Sequence, residues 1–193
     1  MNKKKLVAGV SIITAAMANS SPALGVFAAE APVEITGNEW DGHPEISEVN
    51  RERARATFYP YASVEAAKTM DKENSEYYKL LNGTWKFNFS KEKPVDFQAP
   101  DFDDSSWDDI EVPSNWNVLK NEDGTFKYEK PWYTSGGYTW KNTEKLEPGQ
   151  TVKKGNTVGT YRTTFQLEEG WKDREVFLNF EAVESAMYLW VNG

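Results

Sequence analysis

The sequence predicts an all-β protein, a β-sandwich of the jelly-roll kind that is incomplete at its C-terminus and preceded by an extended N-terminal arm. Three observations predict it. Short stretches alternate apolar and polar residues with the two-residue period of a half-buried strand, as in Thr84-Trp85-Lys86-Phe87-Asn88-Phe89 and Tyr161-Arg162-Thr163-Thr164-Phe165-Gln166-Leu167. Gly, Pro and Asn turns separate these stretches, which is the punctuation of antiparallel β architecture. The chain of 193 residues carries eight tryptophans and 14% aromatics, enough apolar material for one main core.

Residues 1–29 read as a secretory signal. Lys3-Lys4-Lys5 supplies the positive start, Leu6 to Ala18 a run of small apolar residues, and Val26-Phe27-Ala28-Ala29 a cleavage site after Ala28 or Ala29. The run falls short of the roughly 20 apolar residues that span a bilayer, and Asn19-Ser20-Ser21-Pro22 ends it in turn formers. Removal of this segment takes three lysines with it and leaves a more acidic protein outside the cytoplasm.

Residues 30–76 read as an extended preamble with one short helix. Trp40-Asp41-Gly42-His43-Pro44-Glu45 is turn chemistry, and His43 in it reads as a solvated loop residue. Arg51, Arg53 and Arg55 fall on one side of an extended segment, where they either grip carboxylates of a neighbouring surface or form a solvated stripe. Ser63 is placed to cap a helix over 63–68 built on Ala66 and Ala67.

From residue 77 the pattern is that of strands. Beyond the two already named, Val176-Phe177-Leu178-Asn179-Phe180 and Ser185 to Val191 are predicted strands. Lys91 to Pro100 is a loop. In 103–116, Trp107, Ile110 and Val112 read as anchors of the sandwich, and Pro113, which has no N–H to donate, ends the strand. Phe102 and Trp107 are spaced to cap one end of the core while the aspartates around them face water; a carboxylate run such as 101–111 is usually a solvated face. Asn192-Gly193 signals a tight hairpin turn, so a returning strand is expected after the last residue.

Charge and composition exclude several functions. A net charge of −8, with no clustered Lys or Arg after the first five residues, argues against nucleic acid. No cysteine and a single histidine argue against disulfides, thiolate metal sites, a His-based zinc site and a Ser/His triad. Trp116, Trp132, Tyr133, Tyr138 and Trp140 fall on or near loops, where aromatic rings stack on sugar faces. A free-standing carbohydrate-binding module is therefore one reading and an inert truncated piece another.

Several spaced motifs together carry a resemblance. Leu80, Asn82-Gly83, Trp85 and Phe87 come first, then Trp107, Ile110 and Val112 to Trp116. Gly159, Tyr161-Arg162 and Phe165 follow, with Val183 to Ala186 and Trp190 to Gly193 at the end. In this order they resemble the N-terminal sugar-binding domain of glycoside hydrolase family 2. Trp40, Asn50-Arg51-Glu52 and Ala54 to Tyr61 are similar to the preamble of the family's large bacterial β-galactosidases. The resemblance implies that a galactose-binding-like jelly roll occupies 77–193. It also implies that two catalytic glutamates lie on a barrel outside this chain, performing retaining hydrolysis of terminal β-galactosides such as lactose with carboxyls about 5 to 5.5 Å apart.

The resemblance further implies one contribution to a sugar pocket. Pro131 to Tyr138 is similar to the family's Pro-x-Tyr-Thr-Asn-x-x-Tyr segment, which makes Tyr133, Ser135 and Gly136 the candidate substrate-binding residues. Ser135 stands where the family has asparagine and keeps a hydroxyl while losing the amide's reach and second donor. The residues alone fit equally a glycine turn with Tyr133 and Tyr138 packed down. Magnesium and sodium are implied for the whole enzyme, with no ligand here; the implied partners are a β-galactoside, the remaining domains of the polypeptide and a second copy of the full-length enzyme.

Overall fold

In the computed structural model of the chain, the described residues are 4–7, by backbone alone, 39, 43, 45–54, 56–131, 144–147, 150, 152–153, 155–184 and 186–193. Among the described residues the architecture is one antiparallel sheet of five strands: β1 (Lys4–Val7), β2 (Gly83–Ser90), β3 (Asp108–Val112), β4 (Val158–Phe165) and β5 (Trp190–Val191). Their spatial order is β3-β2-β4-β1-β5. One short helix, α1 (Val64–Lys68), precedes β2. The all-β expectation therefore holds, with the sheet built mainly around β2 and β4.

The register explains which side chains share a face. Trp85 lies opposite Ile110 on β3, and Phe87 opposite Asp108 on that side and Tyr161 on β4. Period-two alternation then sends Trp85, Phe87, Phe89, Ile110, Val112, Tyr161 and Phe165 to one face. Trp85, Phe87, Ile110 and Leu189 are buried there, with Leu81, Trp116, Leu119, Tyr128 and Leu178 packed against them. Phe87 is the centre of this layer, 1% exposed, with its ring 4.8 Å from both Tyr128 and Tyr161 and 6.3 Å from Trp116. The Trp85 indole donates to the Leu81 carbonyl at 2.8 Å, so its burial leaves no unpaired N–H.

The opposite face is polar and is held by charge. Lys86 and Arg162 are cross-strand neighbours of the same sign, a destabilising pair unless each finds an anion. Lys86 reaches Asp109 at 2.8 Å. Arg162, only 2% exposed, donates from Nε to Asp104 Oδ2 at 2.8 Å. Its Nη1 also donates to the Phe97 carbonyl, both terminal nitrogens approach the Ala99 carbonyl at 3.4 to 3.5 Å, and the guanidinium lies 5.2 Å from the Phe102 ring. One side chain thus gathers the loop 97–104 onto the sheet. Phe97, buried in that loop, stacks edge-on against Trp190 at 5.1 Å between centroids.

The preamble is docked by polar contacts. Ser63 Oγ accepts from the Ala66 amide at 3.1 Å, the N-cap expected for α1. Buried Ser75 donates to the Pro60 carbonyl at 2.6 Å, and Trp171 Nε1 to the Glu76 carbonyl at 2.8 Å. Arg174 sits over the Tyr77 ring at 4.1 Å, and Lys72 lies above Tyr59 and Tyr78. Arg51 and Arg53 are exposed, and Arg51 pairs with Glu48 at 3.6 Å. His43 is exposed and hydrogen-bonded to Glu45 at 3.0 Å.

Three expectations need correction or refinement. Residues 176–180 pair with no strand among the described residues: Leu178 packs against the core cluster, while Phe177 and Phe180 remain exposed. In the segment expected as a strand from Ser185 to Val191, the pairing among the described residues is limited to Trp190–Val191, which lie opposite Val7 and Leu6 of β1. Asp104 does not face water but is the buried arginine's counter-ion. Lys4–Val7, which fall within the segment read as a secretory signal, form β1 and pair with β4 and β5. Asn192 and Gly193 both have positive φ, +67° and +98°, the conformation the hairpin signal calls for.

Two expected outcomes follow from this packing. A Cβ on Gly159 would meet Phe87 Cε2 at 2.9 Å and Trp116 Nε1 at 3.1 Å. Gly159→Ala should therefore destabilise the chain by about 1 to 3 kcal/mol, read as a lowered denaturant midpoint; an unchanged midpoint would show that the Phe87–Trp116 contact yields freely. Burial, with a smaller contribution from Tyr128, pushes the Tyr161 phenol up to about 12, against about 10 in an unfolded chain. A raised folded pKa adds stability that is complete below about pH 10 and is lost as the pH climbs toward 12. Denaturant midpoints should fall across that window, and Tyr161→Phe should flatten the fall; a parallel fall in the variant would remove Tyr161 as its cause.

Candidate functional site

Residues 116–131 and 155–158 are the described segments that come before and after residues 132–143 in the chain. After β3 the Val112–Pro113 peptide is cis, and a single 3-10 turn, Trp116–Val118, lays Trp116 against Phe87 and Phe89. Trp116 Nε1 lies over Gly159 on β4, where the lack of a side chain makes room for the indole. Trp116 is therefore packed into the core layer and is not presented as a stacking platform for sugar.

A small hairpin then turns the chain back. Lys120 and Phe126 form a bridge, and the Lys127 amide donates to the Leu119 carbonyl at 2.8 Å. Gly124 takes the positive φ of the turn, +82°, while Asp123 Oδ1 accepts from the Thr125 amide at 2.9 Å and from its hydroxyl at 2.6 Å. The hairpin delivers Tyr128, whose ring packs on Phe87 and Phe89. Its hydroxyl donates to Asp108 Oδ2 at 2.8 Å, and Lys127 Nζ lies 3.1 Å from the same oxygen. One residue further, Glu129 Oε2 accepts from the Thr157 hydroxyl at 2.7 Å. That contact ties the segment after the hairpin to the start of β4.

Electrostatics suit anchoring better than proton transfer. The hydrogen bond from Tyr128, seconded by Lys127, holds the Asp108 carboxyl below its ordinary value. The hydrogen bond from the Thr125 side chain does the same at Asp123, and a backbone hydrogen bond, followed by His43, does so at Glu45. A general acid needs the opposite displacement, upward toward the working pH. The Tyr128 phenol is raised, first by its own burial and then by the bond it donates to Asp108, so it stays protonated. Among the described residues, no group of three or more His, Cys, Asp or Glu is placed to hold a metal ion.

Tyr133, Ser135 and Gly136, the candidate substrate-binding residues, lie outside the described residues, as do Trp132, Tyr138 and Trp140. What the structure does place is the support of the preceding segment: Tyr128 bonded to Asp108 and Glu129 bonded to Thr157. Sequence reasoning missed this support. Asp123-Gly124 is an Asp-Gly turn signal between Leu119 and Phe126 and could have revealed the hairpin.

Comparison with known proteins accounts for the pattern. The family model described as "Glycosyl hydrolases family 2, sugar binding domain" matches residues 78–193. A β-galactosidase of Priestia megaterium (strain DSM 319 / IMG 1521) is 41% identical over 158 residues, covering 80% of this chain and 15% of that protein. The β-galactosidase large subunit of Leuconostoc lactis is 35% identical over 164 residues, covering 80% of this chain and 25% of the subunit. A β-galactosidase of Psychromonas ingrahamii (strain DSM 17664 / CCUG 51855 / 37) is 35% identical over 162 residues, covering 82% and 14%. The chain thus spans a quarter or less of the length of these relatives. With its sheet, its motifs and its match to the family model in agreement, the chain belongs to glycoside hydrolase family 2 and carries that family's sugar-binding domain.

Proposed function

We propose that this chain is the N-terminal sugar-binding portion of a secreted β-galactosidase that cleaves terminal β-D-galactosides such as lactose with retention of configuration. The observation that carries the reading is the coverage. The chain aligns over about four-fifths of its own length with proteins named as β-galactosidases while spanning a small share of theirs. Chemistry within the chain agrees. Among the described residues, the carboxyls of Glu45, Asp108 and Asp123 are displaced downward by hydrogen bonds and are unsuited to act as the raised acid of a glycosidase pair.

In this reading the chain contributes structure and one loop. Tyr128, Glu129 and Thr157 brace the flanks of 132–143, and Tyr133, Ser135 and Gly136 contribute to the edge of a galactoside pocket completed by catalytic residues elsewhere in the polypeptide. Residues 1–29 act as the secretory signal. Assembly of the whole enzyme into homo-oligomers and its use of magnesium and sodium belong to the same reading; the described residues supply no cluster of donors for a metal, and no step is assigned to one here.

The test is turnover of a chromogenic β-galactoside by the 193-residue chain alone. No hydrolysis above the uncatalysed rate is expected, because both catalytic carboxyls are assigned outside it. Sustained turnover by this chain without any other polypeptide would overturn the assignment.

A further inference from the structure

β5 joins the sheet through β1. Lys4, Lys5, Leu6 and Val7 lie opposite Phe165, Thr164, Thr163 and Arg162 on β4, while Leu6 and Val7 lie opposite Val191 and Trp190 on β5. β1 is antiparallel to both neighbours. Since paired strands sit about 4.8 Å apart, the gap between β4 and β5 is about 10 Å wide, room for one extended chain and too narrow for a helix with its side chains.

Both walls of that gap present backbone donors and acceptors inward. With the gap empty, β4 from Arg162 to Phe165 would expose an unpaired edge beside the core, and an unpaired backbone edge recruits another strand. β5 is equally dependent, because its two residues are too few to hold a ladder alone. It is nonetheless tied to packing that matters: Leu189, just before it, is buried in the core cluster, and Trp190 stacks on Phe97 in the loop that Arg162 gathers.

We propose that the gap between β4 and β5 is a strand-accepting site whose occupant in this chain is its own N-terminal segment, Lys4–Val7, acting as a latch that fastens β5 to the sheet. Any extended segment running antiparallel to both walls would compete for the same backbone groups. The latch rests on strand pairing alone; its release on removal of residues 1–29 rests in addition on the secretory reading above. Removal of the leader would then open a one-strand site at the moment of processing.

The chain has no cysteine, so disulfide trapping is free of background. Residues directly opposite on antiparallel strands have Cα atoms about 4.5 to 5.5 Å apart, within disulfide reach. The double variants Leu6→Cys with Thr163→Cys, and Leu6→Cys with Val191→Cys, should cross-link under mild oxidation at least about tenfold faster than Leu6→Cys with Phe165→Cys, which is out of register. Equal rates for in-register and out-of-register pairs would overturn the proposal. In the unsubstituted chain the amides of residues 4–7 should exchange with solvent as slowly as that of Ile110, and exchange at the rate of an unstructured peptide would overturn it independently. Failure of the leader to be cleaved on export would count against the secretory reading and leave both results unchanged.

Discussion

The buried guanidinium of Arg162 is the constraint on which the rest of this structure depends. Taking a cation out of water costs several kcal/mol unless its donors are met, and Arg162 sits 2% exposed in the middle of β4. Asp104 and the carbonyls of Phe97 and Ala99 meet those donors, which forces the 97–104 loop to lie across the sheet. That loop in turn brings Phe97 under Trp190 and Phe102 toward Trp107, at 5.5 Å between ring centroids. A single strand residue therefore decides where the 97–104 loop lies on one face of the sheet, and the aromatic layer around Phe87 packs on the other.

This two-sided closure gives the site its character. The apolar layer of Phe87, Phe89, Trp116 and Tyr128 is stiff, because Gly159 leaves the indole no spare space. On that base the hairpin from Leu119 to Lys127 and the Glu129–Thr157 bond fix the course of the chain up to Pro131. A rigid scaffold carrying a loop is how binding residues are usually positioned. It also explains why the Asp108 and Asp123 carboxyls are hydrogen-bonded and held below their ordinary values: they fasten a strand and a turn. Membership in glycoside hydrolase family 2 fits a domain that supports chemistry performed elsewhere.

Strand identity was readable because alternation reports burial directly. Trp85, Phe87 and Ile110 are buried where the period-two pattern places them, and Ser63 caps α1 because its hydroxyl finds an orphan amide whatever the tertiary setting. Residues 176–180 show the limit of that logic. Their apolar composition suits a strand, but a strand exists only when a partner supplies its ladder, and sequence pattern says nothing of partners. Asp104 fails for a related reason: in a run of acids, the one that turns inward is chosen by a cation 58 residues away. The hairpin signal at Asn192-Gly193 was readable because positive φ is a local demand that few residues satisfy. The sugar-loop residues Tyr133, Ser135 and Gly136 rest on motif resemblance, since spacing carries no information about contact with a ligand.

The measurement that bears most directly on this account is a double-mutant cycle between Arg162 and Asp104, followed by chemical denaturation. Asp104→Ala leaves a buried cation short of its counter-ion and should cost about 3 kcal/mol. Arg162→Met should also destabilise, by leaving Asp104 and the loop carbonyls unmet. The double variant should cost less than the sum of the two, with a coupling energy of about 1 to 3 kcal/mol. Strictly additive losses, or an Asp104→Ala change that leaves stability intact, would contradict the claim that this pair organises the sheet.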